Sequence, residues 1–129
     1  MYEIYVRESI QRGLEDSSTV IRIDGREITD WVSFHATFKR VFGFPDFYGH
    51  NGDAWIDCMT CLDAADSGMT TVHVKTGETL TIYLEHSLGL RQYPDIFEGL
   101  LEMVDFVNWR RQNNHLRPKP AILTVQFDS

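Results

Sequence analysis

The chain has 129 residues, of which 43% are hydrophobic, and a formal net charge of −7. The length favours a single domain over residues 1–129, and the charge argues against nucleic acids and anionic membranes as partners, because both would repel the chain. The sequence has no apolar run that could span a bilayer and no secretion signal, so we expect a protein of the reducing cytoplasm.

A strand and a helix are the first elements that we predict. Thr19 to Ile23 favours a strand, which the turn-forming pair Asp24-Gly25 ends. Thr29 or Asp30 can cap the helix that follows, and Gly43 is typical of its end. The apolar residues of this helix share one face: Trp31, Phe34, Phe38, Val41 and Phe42. We interpret His35 on the same helix as a surface or hydrogen-bonded residue rather than a ligand.

A loop and a short helix are predicted next, between Phe44 and Leu62. Pro45 favours the loop, and Gly49 and Gly52 permit a positive φ. Asn51 can then cap the helix by accepting hydrogen bonds from free backbone N–H groups.

The short helix has two different faces. Trp55, Met59 and Leu62 are spaced as an apolar stripe that faces the core. Asp53 and Asp57 are spaced i, i+4, so two carboxylates are neighbours on another face, at a cost of about 0.2–0.5 kcal/mol to the helix.

The charge around this helix is one-sided. No Lys or Arg lies between Arg40 and Lys75, and five aspartates give that interval a net charge of −5: Asp46, Asp53, Asp57, Asp63 and Asp66. An acidic surface concentrated on one loop and helix predicts a partner with a basic site. A solvated helix face with chance clustering would explain the same charges.

The second half of the chain predicts further strands and a long helix. Asp63 to Gly68 is turn-rich and acidic, and Thr70 to Val74 favours a strand that pairs in a hairpin with Thr79 to Leu84. Pro94 is suited to the first turn of the long helix, and Ala121 to Phe127 favours a final strand. Strands alternating with helices predict an α/β domain with a small, mainly parallel sheet, packed by three to four helices.

Two segments resemble a known family. Ile21-Arg22-Ile23-Asp24-Gly25, and the segment from Phe44 to Asp57 that follows the first helix, are similar to the barstar family of ribonuclease inhibitors. The resemblance runs from about Thr19 to Leu62 and is weaker from Leu80 to Phe127. It implies a barstar-like fold, with 1–18 as an N-terminal extension and 63–78 as an insertion. It also implies a proteinaceous inhibitor that blocks the basic active site of a bacterial ribonuclease.

The resemblance also implies roles for individual residues. Asp57 matches the family's central aspartate, which inserts among the catalytic cations of the enzyme, and Asp53 matches a second acidic contact. Phe47 stands where the family has a tyrosine that contacts the enzyme. The remaining contact residues shape or flank the loop: Asp46, Gly49, His50, Asn51, Gly52 and Ile56. The family's acidic contact from the later helix falls near Asp105 and Glu102.

Other functions fit these residues less well. Cys58 and Cys61 form a C-x-x-C, but they lie inside a predicted helix beside aspartates, where neither redox catalysis nor a zinc site is favoured. Asp53 and Asp57, with His50, could be an acid–base pair of a hydrolase, which would need a cleft that separates their pKa values. We therefore predict that the chain is not an enzyme and binds no cofactor or metal. We also expect the free protein to be a monomer. The alternative is an acidic binding module for another basic protein.

Overall fold

The computed structural model describes residues 19–128, so the predicted extension over 1–18 lies outside the described residues. In chain order the strands and helices are β1 (Thr19–Asp24), α1 (Trp31–Phe42), α2 (Gly52–Thr60), β2 (Leu80–Glu85), α3 (Ser87–Leu90), α4 (Pro94–Gln112) and β3 (Leu123–Phe127). Two short 3-10 turns, Gly25–Glu27 and Ala65–Ser67, follow β1 and α2 respectively.

The three strands form one parallel sheet in the order β1-β2-β3. Ile82 of the central strand pairs with Ile21 of β1 and with Val125 of β3. Parallel neighbours need crossover connections, which the helices between the strands supply. The predicted α/β class and the small parallel sheet are confirmed, with four helices in the part of the chain that the structure describes.

The helix boundaries follow the predicted capping residues. Asp30 accepts a hydrogen bond from the backbone N–H of Ser33 at 2.7 Å, and Ser33 bonds back to the backbone N–H of Asp30, which completes a capping box at α1. Gly43 ends α1 with a φ of 67°, a left-handed conformation that favours glycine. Pro94 is the first residue of α4, as predicted.

The predicted strand over Thr70–Val74, and with it the hairpin, is wrong. The segment pairs with none of the strands that the structure describes, although the burial of its side chains alternates, with Thr70 and Val74 buried and residues 71 and 73 exposed. Two of its backbone N–H groups donate to helix ends rather than to a strand. The N–H of Thr71 donates to Phe42 O at the end of α1, and the N–H of Val74 donates to Leu62 O after α2. The alternation therefore reflects packing across two helix ends. Of the two predicted hairpin strands only the second forms, as β2 (Leu80–Glu85).

The core lies between the sheet and the helices. Fully buried side chains come from every layer: Phe34, Phe38 and Phe42 of α1, Trp55 and Met59 of α2, Ile82 and Leu84 of β2, and Leu100 and Val104 of α4. The predicted apolar stripe of α2 is confirmed, since Trp55, Met59 and Leu62 have no exposed surface. These anchors fix the orientation of α2, and so decide which of its side chains face solvent.

Two polar side chains of α4 join this helix to the rest of the fold. Buried Asn108 accepts hydrogen bonds from the N–H groups of Ile122 and Leu123 and donates to Leu123 O, which holds the start of β3. Arg111 forms a buried ion pair with Asp63, beyond the end of α2. Between residues 19 and 128, no helix is long and apolar enough to cross a membrane.

Candidate protein-binding site

The loop before α2 is anchored by two aromatic side chains. Phe44 and Tyr48 are each 5% exposed, and their rings pack with centroids 4.7 Å apart. The N–H of Tyr48 donates to Pro45 O at 2.9 Å, which closes a tight turn. The residues between these anchors, Asp46 and Phe47, are exposed, and Phe47 retains 78% of its surface in solvent.

A buried histidine of α1 contacts this loop. The His35 ring is buried and shares a hydrogen bond with the Tyr48 hydroxyl. Burial lowers the pKa of His35, with a smaller contribution from nearby His50, and burial raises the pKa of Tyr48. The interpretation of His35 as a hydrogen-bonded residue is confirmed, whereas the surface position is wrong, because the aromatic face of α1 and the Tyr48 ring enclose it.

The loop turns at His50 rather than at its glycines. His50 has a φ of 54°, and the expectation of a positive φ at Gly49 and Gly52 is wrong. Close packing favours glycine only at position 49, where a Cβ would lie 3.1 Å from the side-chain nitrogen of Asn51. A Cβ on Gly52 would lie 3.4 Å from the sulfur of Met103 in α4, which is an ordinary contact distance.

The cap at the start of α2 is formed as predicted. Asn51 Oδ1 accepts a hydrogen bond from the N–H of Ala54 at 2.8 Å. Asp53 and Asp57 are exposed on the outer face, while Ile56, one position before Asp57, is only 8% exposed. The helix ends at Thr60, so Leu62 contributes to the core from the turn that follows.

Asp57 carries an ion pair that the sequence did not indicate. Nη1 of Arg110, in the last turn of α4, donates to Asp57 Oδ1 at 2.8 Å. The pair is partly solvated, with 47% of the Arg110 side chain and 54% of the Asp57 side chain exposed. Asp57 is thus accessible but already in contact with a cation.

The five aspartates do not form one uncompensated acidic surface. Asp63 is buried in its pair with Arg111, and Arg110 partly neutralises Asp57. The interpretation of the stretch as a single acidic surface is therefore wrong for Asp63, because α4 brings two arginines against a segment that has no cation of its own. Exposed carboxylates remain at Asp46, Asp53, Asp57 and Asp66.

The neighbouring face of α4 contributes exposed acidic and aromatic groups. Glu102 is exposed and Asp105 is half-buried, one turn apart on the helix. Phe106 and Trp109 stack with ring centroids 5.7 Å apart and an interplanar angle of 13°, and they remain 46% and 56% exposed. Since the sulfur of Met103 lies near Gly52 and Arg110 contacts Asp57, the turns of α4 between them run alongside α2.

Comparison with known proteins identifies the family. A family model described as Barstar (barnase inhibitor) matches residues 18–119. The chain belongs to the barstar family. The matched range contains the loop, α2 and α4 in full, and β3 lies beyond it. Barstar-family membership confirms the resemblance that the sequence indicated.

A similar protein comes from Bacillus subtilis (strain 168) and is named "Putative ribonuclease inhibitor YrdF". It is 45% identical over 40 residues, which is 31% of this chain. The match covers 44% of the relative's own length, less than half of it. This likeness and the barstar match agree on an inhibitor family directed at ribonucleases.

The two cysteines of this barstar-family chain are free thiols in an environment that disfavours thiolates. Burial, with smaller effects from Cys61 and Asp57, raises the pKa of Cys58 to about 11. Burial and the nearby Asp57 and Asp63 carboxylates also raise the pKa of Cys61. Both directions oppose the low thiol pKa that redox catalysis needs. Within residues 19–128, no cluster of three or more His, Cys, Asp or Glu side chains could hold a metal ion.

Sequence reasoning missed the arginines and the aromatic pair of α4. Two arginines at the end of a helix are explained locally by the negative end of the helix dipole, which says nothing about the tertiary partners of Arg110 and Arg111. The i, i+3 spacing of Phe106 and Trp109 was a usable signal for a pair of neighbouring aromatic side chains on this helix.

Proposed function

We propose that this chain inhibits a bacterial ribonuclease by presenting Asp57 to the cations of the enzyme's active site. The observation that carries the proposal is the exposed Asp57 carboxylate on a helix whose other face is fully buried. Ribonucleases hold Arg, Lys and His side chains that bind the phosphate of RNA. A carboxylate held on a rigid helix can occupy the same position, and Asp53, one turn earlier, adds a second negative charge.

The rigidity of the site supports this mechanism. Asn51 caps α2, and Trp55 and Met59 fix the helix in the core, so Asp57 enters a complex with little conformational freedom left to lose. The loop is held in the same way by Tyr48. Preorganisation of this kind favours tight binding because fewer groups are ordered during association.

Further contacts complete the proposed surface around Asp57. Phe47 supplies an exposed aromatic ring, and His50 and Asp46 flank it. Gly49, Asn51 and Gly52 give the loop its shape, while Ile56 offers only a small exposed area. On α4 the contacts are Glu102 and Asp105, extended by the exposed pair Phe106 and Trp109. Aromatic residues are common at the centres of protein interfaces.

Replacement of Asp57 by Ala tests the proposal, with inhibition of RNA cleavage by barnase, the enzyme in the family description, as the readout. The free variant should keep nearly the same melting temperature. It loses an exposed ion pair, worth about 0.2–1 kcal/mol, and it also loses the repulsion from Asp53, worth about 0.2–0.5 kcal/mol. Its complex should weaken by about 2–5 kcal/mol, because a buried cation of the enzyme would lose its partner.

Asp66→Ala is the matched control, since Asp66 is an exposed aspartate outside the proposed contacts. It removes the same charge and should leave inhibition nearly unchanged. If Asp57→Ala inhibits as well as the wild type, the assigned site is wrong. If the wild type inhibits neither barnase nor any other small basic bacterial ribonuclease in a panel, the proposed inhibition of ribonucleases is wrong.

The biological setting is part of the same proposal. A dedicated inhibitor in the reducing cytoplasm fits two cysteines that remain free thiols, and immunity against a ribonuclease toxin fits an inhibitor that performs no catalysis itself. We also propose that the chain is one domain and a monomer when free, in which 63–78 is an insertion that ties α1 to α2.

A further inference from the structure

We infer that Arg110 competes within the free protein for Asp57 and thereby restricts which ribonucleases can bind. This inference rests on the proposed function, because it concerns the carboxylate that would enter the enzyme. A partner must supply cations that replace the Arg110 contact, so Arg110 would act as a specificity-determining residue of the site.

The geometry of the pair makes it replaceable. Arg110 contacts one oxygen of Asp57 through one guanidinium nitrogen, at 2.8 Å, and about half of each side chain is in solvent. Exposed pairs of this kind are weak, because water and ions screen them and both side chains lose freedom. An arginine of an enzyme that binds both carboxylate oxygens in a water-excluded interface is the stronger partner.

The neighbouring arginine shows what a structural pair looks like in the same helix. Arg111 binds Asp63 through two nitrogens, at 3.0 and 3.1 Å, and the two side chains are 3% and 6% exposed. Arg111 also donates to Thr60 O, so it already joins the end of α4 to the end of α2. The Arg110 pair is therefore not needed to dock these helices, and it is free to respond to a partner.

A bound enzyme would have to accommodate the displaced guanidinium. In the complex, Arg110 would lie at the edge of the interface, beside the cations of the enzyme that contact Asp57. An enzyme with a carboxylate or open solvent at that edge can accept it, whereas an enzyme with a further cation there is repelled. Selection by repulsion as well as by attraction is a common source of specificity between related partners.

Arg110→Gln tests the inference, with Arg22→Gln as the control. Arg22 is also an exposed arginine in an ion pair, with Glu85 at 3.1 Å, and its contacts are with Glu85 and Tyr83 of β2. Both variants change the net charge equally. Against barnase, or the panel enzyme that the wild type inhibits best, Arg110→Gln should lower Kd about two- to fivefold, the range expected when an exposed pair no longer has to be broken. Arg22→Gln should leave Kd unchanged.

A second background shows whether Arg110 acts through Asp57. In a chain that already carries Asp57→Asn, Arg110→Gln should tighten binding less than in the wild-type background, because no ion pair has to be broken. Equal or weaker binding by Arg110→Gln in the wild-type background overturns the inference, and so does equal tightening by Arg22→Gln or by Arg110→Gln beside Asp57→Asn. A failure of the proposed function is recognised by a different result. In that case Asp57→Asn alone would inhibit the ribonuclease as well as the wild type does.

Discussion

Asp63 and Arg111 form a bidentate ion pair inside the protein. The two guanidinium nitrogens lie 3.1 and 3.0 Å from the two carboxylate oxygens, and hardly any of either side chain is exposed. Arg111 also donates to the backbone oxygens of Thr60 and Pro120. One side chain thus joins the end of α2, the end of α4 and the approach to β3.

Loss of the Asp63 carboxylate should destabilise the fold strongly. Asp63→Ala would leave a buried, unpaired guanidinium, and a change of this kind typically costs about 3–5 kcal/mol. Asp66→Ala, at an exposed aspartate nearby in the chain, should stay within about 0.5 kcal/mol of the wild type. Urea unfolding of both variants measures the difference. Equal midpoints would show that water or a rearranged side chain satisfies Arg111 without Asp63.

The Asp63–Arg111 ion pair should make the unfolding free energy depend on pH. The hydrogen bonds from Arg111 hold the pKa of Asp63 below its usual value. The pair therefore stabilises the protein fully above the unfolded pKa of about 3.9, and this contribution is lost as the pH falls through the lower, folded pKa. The difference in unfolding free energy between wild type and Asp63→Asn should accordingly narrow below about pH 4.

Other carboxylates make the comparison with Asp63→Asn necessary. The Arg26 side chain lowers the pKa of Asp24 to about 2, and hydrogen bonds from Ser87 lower that of Asp128 to about 2. Both groups give the wild type and the variant the same acid sensitivity. A difference in free energy that stays constant from pH 6 to pH 3 would contradict a role for Asp63 ionisation.

The thiols should be slow to react in the folded state. At pH 8 a thiol whose pKa is about 11, as for Cys58, is almost entirely protonated, and the thiolate is the reactive form. Alkylation by iodoacetamide should be much faster in urea than in buffer for both cysteines. A chain with Cys58→Ala and Cys61→Ala should still inhibit the ribonuclease if it is folded. Rapid alkylation of the native chain, or loss of inhibition in the folded variant, would contradict this expectation.

Association with the ribonuclease should slow as salt is added. The protein carries a net charge of −7, and screening shortens the range over which it attracts a basic enzyme. Asp53→Asn should reduce the low-salt association rate more than Asp95→Asn, because Asp95 lies in the first turn of α4, on the far side of Met103 from the Asp57 contact. Stopped-flow rates that do not change with ionic strength would argue against electrostatic steering.

Local patterns in the sequence were sufficient to predict most of the elements of the fold. Asp30, Gly43, Asn51 and Pro94 act on the backbone within one turn of their own positions, so their effect on helix ends can be inferred without a tertiary structure. The apolar stripe of α2 is equally local, because the helical period alone decides which residues share a face. The sequence motif around α2 also indicated the barstar family, which the match over 18–119 confirms.

Only the tertiary structure decided how the charges of the candidate site are paired. Asp57 and Arg110 are separated by 53 residues, and Asp63 and Arg111 by 48, so no local pattern relates them. Their contacts exist because α4 packs beside α2 in a parallel direction, which depends on the whole core. The Thr70–Val74 segment illustrates the same limit, since its alternation is genuine but its hydrogen-bond partners are two helix ends rather than a strand. A sequence specifies such donors and acceptors, whereas packing decides which of them meet.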